Sequence, residues 1–159
     1  GSTSESYNET ASPADSVVTR AALVEAHDAL DRADGFLRSL VVRTEPNDPE
    51  RRSRNYSGTN PPYLTGDALR WVRQRGVEHL LVDLPSIDRE SDGGRLANHR
   101  TFWGVEEGRN ASSRRTLTEF CYIPNSLPDG RYFVDIQVPD FALDAAPSRP
   151  LLYEATRID

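Results

Sequence analysis

A helix pattern that runs directly into a strand pattern is the feature that most restricts the fold of this chain. Thr65 is typical of a helix N-cap, and Gly76 is suited to end the helix. Residues 78–84 (EHLLVDL) then form an apolar strand pattern that Pro85 ends. One side of the helix is apolar and predicts the buried face: Ala68, Leu69, Trp71 and Val72. A helix and strand joined in this way are typical of α/β proteins.

The alternation of helix and strand patterns continues on both sides of this unit. Thr19 is a candidate N-cap for a helix over residues 20–34, which Gly35 would end. Segment 36–44 is apolar and β-branched at its centre and predicts a strand. We also expect a short helix at 95–103 and strands at 116–123, 131–138 and 151–156. This order predicts the α/β fold class with a mixed sheet.

The length of 159 residues suits one domain. Residues 1–16 are small and polar and predict a flexible N-terminal segment, which leaves 17–159 as the α/β domain. A long polar stretch, 45–62, contains several prolines inside that domain. Loops of this length are usually functional or mobile, and we expect 45–62 to determine specificity or to contact another subunit.

Charge and composition exclude several functions. The net charge of −6 argues against nucleic acid or an anionic membrane surface as a partner. No apolar run approaches the length of about 20 residues that spans a bilayer, and no signal peptide is visible. A single cysteine, Cys121, excludes an internal disulfide framework. We therefore expect a cytoplasmic protein.

Two residues are candidates for metal binding on the pattern around them. His99 lies on the apolar side of the short predicted helix, and Glu119 interrupts a strand pattern that suits a buried position. A buried carboxylate is costly unless it is paired, hydrogen-bonded or bound to a metal. Imidazole and carboxylate together suit zinc, manganese or iron, although a tight site normally has three or four protein ligands. In the alternative interpretation His99 is a core histidine, and Glu119 either pairs with an arginine or lies on a solvated face of the strand.

The loop after the predicted strand 78–84 is a candidate substrate pocket. Pro85, Ser86 and Asp88 follow the end of that strand, where α/β folds often build their sites. Ser86 and Asp88 are also natural turn and capping residues, which gives an alternative structural interpretation. The sequence contains no nucleophile elbow and no glycine-rich phosphate loop.

Five segments in order resemble the putative cyclase family, a group of metal-dependent hydrolases that includes bacterial kynurenine formamidase (arylformamidase). The resemblance extends over residues 36–155. The segments are Val82-Asp83-Leu84-Pro85-Ser86-Ile87-Asp88, Asn98-His99-Arg100, Leu117-Thr118-Glu119, Asp129-Gly130-Arg131-Tyr132 and Asp144-Ala145-Ala146-Pro147-Ser148-Arg149-Pro150.

The resemblance implies a swivelling β/β/α fold, assembly into dimers or tetramers, and one or two divalent metals, zinc or manganese. It implies that water activated by the metal hydrolyses a C–N bond of a small amide or formamide. His99 and Glu119 fall at the two C-terminal metal ligands of the family. Pro85, Ser86 and Asp88 would line the substrate pocket.

One part of the family pattern is missing. The remaining ligands and the catalytic base of the family come from a His-x-Gly-Thr-His-x-Asp-type motif in the N-terminal third, and this sequence has no such motif. We therefore expect a C-terminal portion that holds no catalytic residue of its own and is inactive alone. A truncated product, an enzyme made of two chains and a relative that has lost catalysis all stay open, as does assembly with further copies. The alternative function is a non-catalytic binding or assembly module that keeps the cyclase fold.

Overall fold

The computed structural model describes residues 12–30, 38–105 and 114–155, and it confirms the α/β fold class. The chain divides into two compact units, Gly1–Asn125 and Ser126–Asp159. Seven strands and three α-helices occur in the described residues: β1 Val17–Val18, α1 Arg20–Ala29, β2 Ser39–Val42, β3 Tyr63–Leu64, α2 Gly66–Gln74, β4 His79–Val82, α3 Ala97–Trp103, β5 Thr116–Thr118, β6 Tyr132–Gln137 and β7 Arg149–Glu154.

The main sheet of the first unit is parallel and has the order β2-β4-β5. Leu80 at its centre pairs with Leu40 on one side and with Leu117 on the other. A second parallel pair joins β1 to β3, while the antiparallel pair β6·β7 forms a sheet of its own in the second unit. Parallel and antiparallel pairs thus lie in separate sheets. The carboxyl ends of β2, β4 and β5 meet at one edge, where parallel α/β sheets commonly carry their sites.

Helix α2 forms the helical side of the core as its sequence predicts. The Thr65 side chain accepts a hydrogen bond from the Ala68 amide at 3.1 Å, and Gly76 after the helix has a φ of +77°. Leu69 and Val72 are completely buried, as are Leu80 and Val82 of the strand that follows. Burial of each such side chain contributes roughly 1.5–3 kcal/mol, so this helix and strand anchor the parallel sheet.

The segment before β1 is tied to β3 by a buried carboxylate. The Asp15 side chain, 1% exposed, accepts hydrogen bonds from the Tyr63 hydroxyl at 2.9 Å and the Asn60 amide at 2.8 Å. Arg89 faces the same carboxylate with an Nε–Oδ2 distance of 3.1 Å. These contacts fix residues 12–16, the part of the polar N-terminal segment that the structure describes.

Stretch 45–62 is largely irregular but well connected. It contains one short 3₁₀ helix, Pro49–Arg52. Arg51 of this helix donates to the Asp83 carboxylate at 2.9 Å, and the same carboxylate accepts from the Thr44 amide at 2.7 Å. Asn47 donates to the Ile123 carbonyl at 2.7 Å. The stretch is therefore packed against the carboxyl edge of the main sheet.

Strand β5 and helix α1 are clearly shorter than their sequence patterns predict. The predicted strand 116–123 forms ladder pairs only over Thr116–Thr118. The chain then leaves the ladder, because Phe120 has a φ of +57°, and Cys121 returns to donate to the Val82 carbonyl at 3.0 Å. Helix α1 ends at Ala29, because its C-cap residue Leu30 is extended, with a φ of −77° and a ψ of 140°. The predicted end at Gly35 lies outside the described residues.

Candidate metal centre

The loop after β4 organises the start of α3. Asp88 is 3% exposed, and its carboxylate accepts from the amides of Asn98 at 2.7 Å and His99 at 3.2 Å. The N-cap residue Leu96 makes no side-chain cap bond, so Asp88 performs that role from outside the helix. Asp88 thus fixes the helical turn that carries His99.

The same carboxylate orients the His99 ring. Asp88 Oδ2 lies 2.6 Å from His99 Nδ1. Because an ionised carboxylate only accepts hydrogen bonds, the proton of the neutral ring is placed on Nδ1. The lone pair is then left on Nε2, which lies 3.5 Å from Oε1 of Glu119. The edge of the Trp103 ring packs against the imidazole with 5.2 Å between ring centroids.

Glu119 reaches this position from the carboxyl end of β5. Its Oε1 accepts from the Ile87 amide at 2.8 Å, and its side chain also bonds to Ser86. Ser86 Oγ in turn accepts from the Asp88 amide at 3.1 Å. The His99 side chain is 13% exposed and that of Glu119 24%, so the pair is largely shielded yet reachable from solvent.

Burial and the neighbouring polar groups shift the pKa of His99 in opposite directions, and the same is true of Glu119. Burial lowers the pKa of His99, but the hydrogen bond to Asp88 and the charge of Glu119 outweigh it, so that the pKa is raised. Burial raises the pKa of Glu119, and the Ile87 amide and His99 oppose it only in part. Neighbouring groups whose pKa values are shifted by burial and by a specific charged partner are candidates for a functional site.

The structure brings together four of the five predicted site residues: Ser86, Asp88, His99 and Glu119. Pro85 lies in the same loop, between β4 and Asp88. The roles of His99 and Glu119 as metal ligands, and of Pro85, Ser86 and Asp88 in a substrate pocket, stay predictions.

Two further groups of the candidate site, the Ile87 backbone amide and Trp103, were not identified from the sequence. The Ile87 backbone amide gives no signal in a sequence pattern. Trp103 does give one, because it follows His99 by four residues and therefore shares its helix face.

The ligating atoms of His99 and Glu119 suit a divalent metal, but they form only part of a ligand set. A ligating histidine commonly donates its other N–H to a carboxylate, and Asp88 and His99 have this arrangement. His99 Nε2 and Glu119 Oε1 are the atoms that would hold the ion. Residues 12–30, 38–105 and 114–155 contain no group of three or more His, Cys, Asp or Glu side chains able to bind a metal. They therefore supply two ligands of an incomplete set.

Fold and site together define an α/β protein with a histidine and a glutamate at the carboxyl edge of a parallel sheet. The sequence pattern described as putative cyclase matches residues 5–89, just over half of the chain. The chain belongs to the putative cyclase family, which confirms the resemblance. The matched segment ends at Arg89, so His99 and Glu119 lie beyond it.

A solved structure supports the same fold. It is described as the structure of a potential metal-dependent hydrolase with cyclase activity, and it superposes with a TM-score of 0.61 at 18% sequence identity. The match covers 90% of this chain and 61% of the other, so this chain spans less than two thirds of the length of that protein. Comparison with curated proteins gives no significant match. In the described part of the chain, every helix is too short or too polar to cross a membrane.

Proposed function

We propose that this chain contributes His99 and Glu119 to the metal centre of a hydrolase that cleaves a C–N bond of a small amide or formamide. One observation carries the proposal: His99 Nε2 faces Glu119 Oε1 at 3.5 Å while Nδ1 is engaged by Asp88 at 2.6 Å. This arrangement places two metal-ligating atoms within 3.5 Å of each other, close enough for one ion to bind both. Membership of the putative cyclase family supports the same function.

In this proposal the residues around the metal centre orient the two ligands and shield the imidazole ring. Asp88 keeps the proton on Nδ1 and the lone pair on Nε2, and Ile87 and Ser86 hold the Glu119 carboxylate. Packing of His99 against Trp103 restricts the imidazole ring. A bound zinc or manganese ion would polarise a carbonyl group and supply a water molecule of lowered pKa. Ser86, whose hydroxyl bonds to Glu119, would line the substrate pocket beside the metal centre.

The finer parts of the proposal concern substrate and assembly. An aryl formamide, as in kynurenine formamidases, is the proposed substrate. Because residues 12–30, 38–105 and 114–155 supply two candidate ligands, we propose that another polypeptide segment or a further copy completes the set. The protein described as a potential metal-dependent hydrolase is longer than this chain, which is in keeping with a missing portion.

Metal titration tests the proposal. Zn²⁺ and Mn²⁺ are titrated into the wild-type chain and into His99→Ala, Glu119→Gln and His79→Ala, with bound metal measured by elemental analysis in equilibrium dialysis. His79 is the matched control, since its Nδ1 lies 2.8 Å from Thr116 Oγ1 on the ladder between β4 and β5. We expect weak binding that His99→Ala and Glu119→Gln abolish and His79→Ala preserves. Metal uptake that is unchanged in both site variants would disprove the proposal.

An activity assay tests whether another segment or copy must complete the metal centre. With either metal and an aryl formamide, we expect no turnover by this chain alone. Robust turnover that depends on His99 would show that the chain is self-sufficient and would overturn the proposed completion by another segment.

A non-catalytic binding or assembly module is the second candidate. It is favoured by the incomplete ligand set, because the described residues supply two ligating side chains where a tight site normally has three or four. If the wild-type chain takes up neither metal in the titration, this candidate replaces the first.

A further inference from the structure

Phe120, directly after Glu119, has a backbone conformation that bulky residues rarely adopt. Its φ is +57° and its ring is 65% exposed. A left-handed backbone costs free energy for residues with a side chain, and an exposed phenyl ring recovers little of it by burial. Such residues persist where the surrounding structure requires them, and they cluster at functional sites.

The left-handed turn takes Glu119 out of the β4·β5 ladder. Thr118 pairs with Leu81, so a regular continuation would place Glu119 beside Val82. Instead Phe120 donates to the Leu84 carbonyl at 2.9 Å, and Cys121 takes the Val82 carbonyl at 3.0 Å. Glu119 and Phe120 therefore form a turn at the end of β5, where regular pairing with β4 stops. Here the redirected carboxylate reaches the Ile87 amide at 2.8 Å.

The candidate histidine has a similar neighbour. Among the described residues, only Asn60, Leu96 and Phe120 combine a side chain with a positive φ. Asparagine tolerates this region, whereas leucine and phenylalanine do not. Leu96, with a φ of +49°, begins the helix that carries His99, and Phe120 follows Glu119. Both costly conformations thus adjoin the two candidate ligands.

The Phe120 ring has a separate partner. It meets the Tyr56 ring edge to face with 6.0 Å between centroids. The segment after Tyr56 is held by Glu90, which accepts from the amides of Gly58 at 2.6 Å and Asn60 at 2.9 Å. The ring thus contacts stretch 45–62, while the backbone of Phe120 determines the position of Glu119.

We propose that Phe120 is a positioning residue whose left-handed backbone holds the Glu119 carboxylate opposite His99. The significance of this position for metal binding rests on the proposed function. Glycine adopts positive φ without strain, and a β-branched residue does not. Substitutions at 120 can therefore separate the role of the backbone from that of the ring.

The test compares Phe120→Gly with Phe120→Val in two readouts. Zn²⁺ affinity is measured by titration, and hydrogen exchange of the Ile87 amide is measured by NMR without metal. We expect Phe120→Gly to keep both within about threefold of wild type. Phe120→Val should weaken Zn²⁺ binding about tenfold and accelerate Ile87 exchange at least tenfold relative to the amide of Leu69, which bonds to the Thr65 carbonyl within α2, because valine disfavours the left-handed turn.

Two controls isolate the backbone effect. Tyr56→Ala removes the ring contact and should leave both readouts unchanged, as should Tyr122→Val at a neighbouring aromatic residue with an ordinary backbone. The proposal is overturned if Phe120→Val lowers only the melting temperature, or if Phe120→Gly loses the Ile87 protection as fully as Phe120→Val. If the wild-type chain binds no Zn²⁺, the proposed function fails, and the Ile87 readout alone decides the positioning role.

Discussion

Asp88 Oδ2 lies 2.6 Å from His99 Nδ1, and the same carboxylate bonds to the first amides of the helix on which His99 stands. One side chain therefore fixes the position of the imidazole, the orientation of its ring and the nitrogen that carries its proton. This linkage makes Asp88 a structural support of the candidate centre rather than a third ligand.

Asp88→Asn should disturb His99 more than the fold. An amide in place of the carboxylate can present N–H groups to Nδ1, so the neutral ring should shift toward the form protonated at Nε2. We expect a change in the ¹⁵N shifts of His99 and metal binding weaker by about 10–100-fold, which is typical of lost outer-shell partners. Asp67→Asn is the control, since Asp67 bonds to Arg70 on the exposed side of α2. An unchanged His99 spectrum in Asp88→Asn would contradict this account.

The buried pair Asp83 and Arg51 predicts a large loss of stability on a single substitution. Their side chains are 2% and 10% exposed, and Thr44 adds further hydrogen bonds to the carboxylate. Asp83→Asn leaves the guanidinium buried without its counter-charge, so the free energy of unfolding should fall by about 3–5 kcal/mol in urea titrations. Glu78→Gln removes the exposed partner of Arg38 and should have no resolvable effect. Equal effects of the two substitutions would show that the Asp83 pair is not a structural anchor.

The patterns that are local in the sequence predicted the fold well. Thr65, the apolar face of α2 and the strand that follows are confirmed because capping, helical periodicity and β propensity act over a few residues. The β5 pattern failed after Thr118 because the chain satisfies contacts to Leu84 and Val82 that lie more than thirty residues away. Local propensity contains no information about such contacts.

The candidate site was predictable only in part. Strand order places the ends of β4 and β5 at one edge of the sheet, which explains why Ser86 and Glu119 meet. The Asp88 carboxylate bonds to the amide of Asn98 in α3, ten residues later. This contact depends on the path of the intervening loop, which the sequence pattern does not give. Similarly, the polarity of residues 12–16 gave no sign that Asp15 binds Tyr63, 48 positions away. Buried polar contacts between distant segments need the tertiary structure.

Cys121 should react slowly with thiol reagents. Burial, with the charge of Asp83 as a second cause, raises the pKa of its thiol to about 11. Because the thiolate is the reactive form, the reaction with a disulfide reagent at pH 8 should be about 10²-fold slower than that of free cysteine. The rate should keep rising with pH well beyond the range in which free cysteine levels off. A rate close to that of free cysteine, with a plateau near pH 9, would contradict this prediction.

Tyr63 predicts a specific loss of stability at alkaline pH. Burial and the hydrogen bond to Asp15 raise the pKa of its hydroxyl to about 12, compared with about 10 in an unfolded chain. A raised pKa in the folded state means that the contribution is complete below pH 10 and is lost as the pH rises from about 10 through about 12. The stability difference between wild type and Tyr63→Phe should therefore be constant up to pH 10 and shrink above it, by up to about 1.4 kcal/mol per pH unit. Urea titrations at each pH measure it, with Tyr153→Phe, at a ring 53% exposed, as the control. A difference that stays constant to pH 12 would show that the Tyr63 hydroxyl is not protected by Asp15.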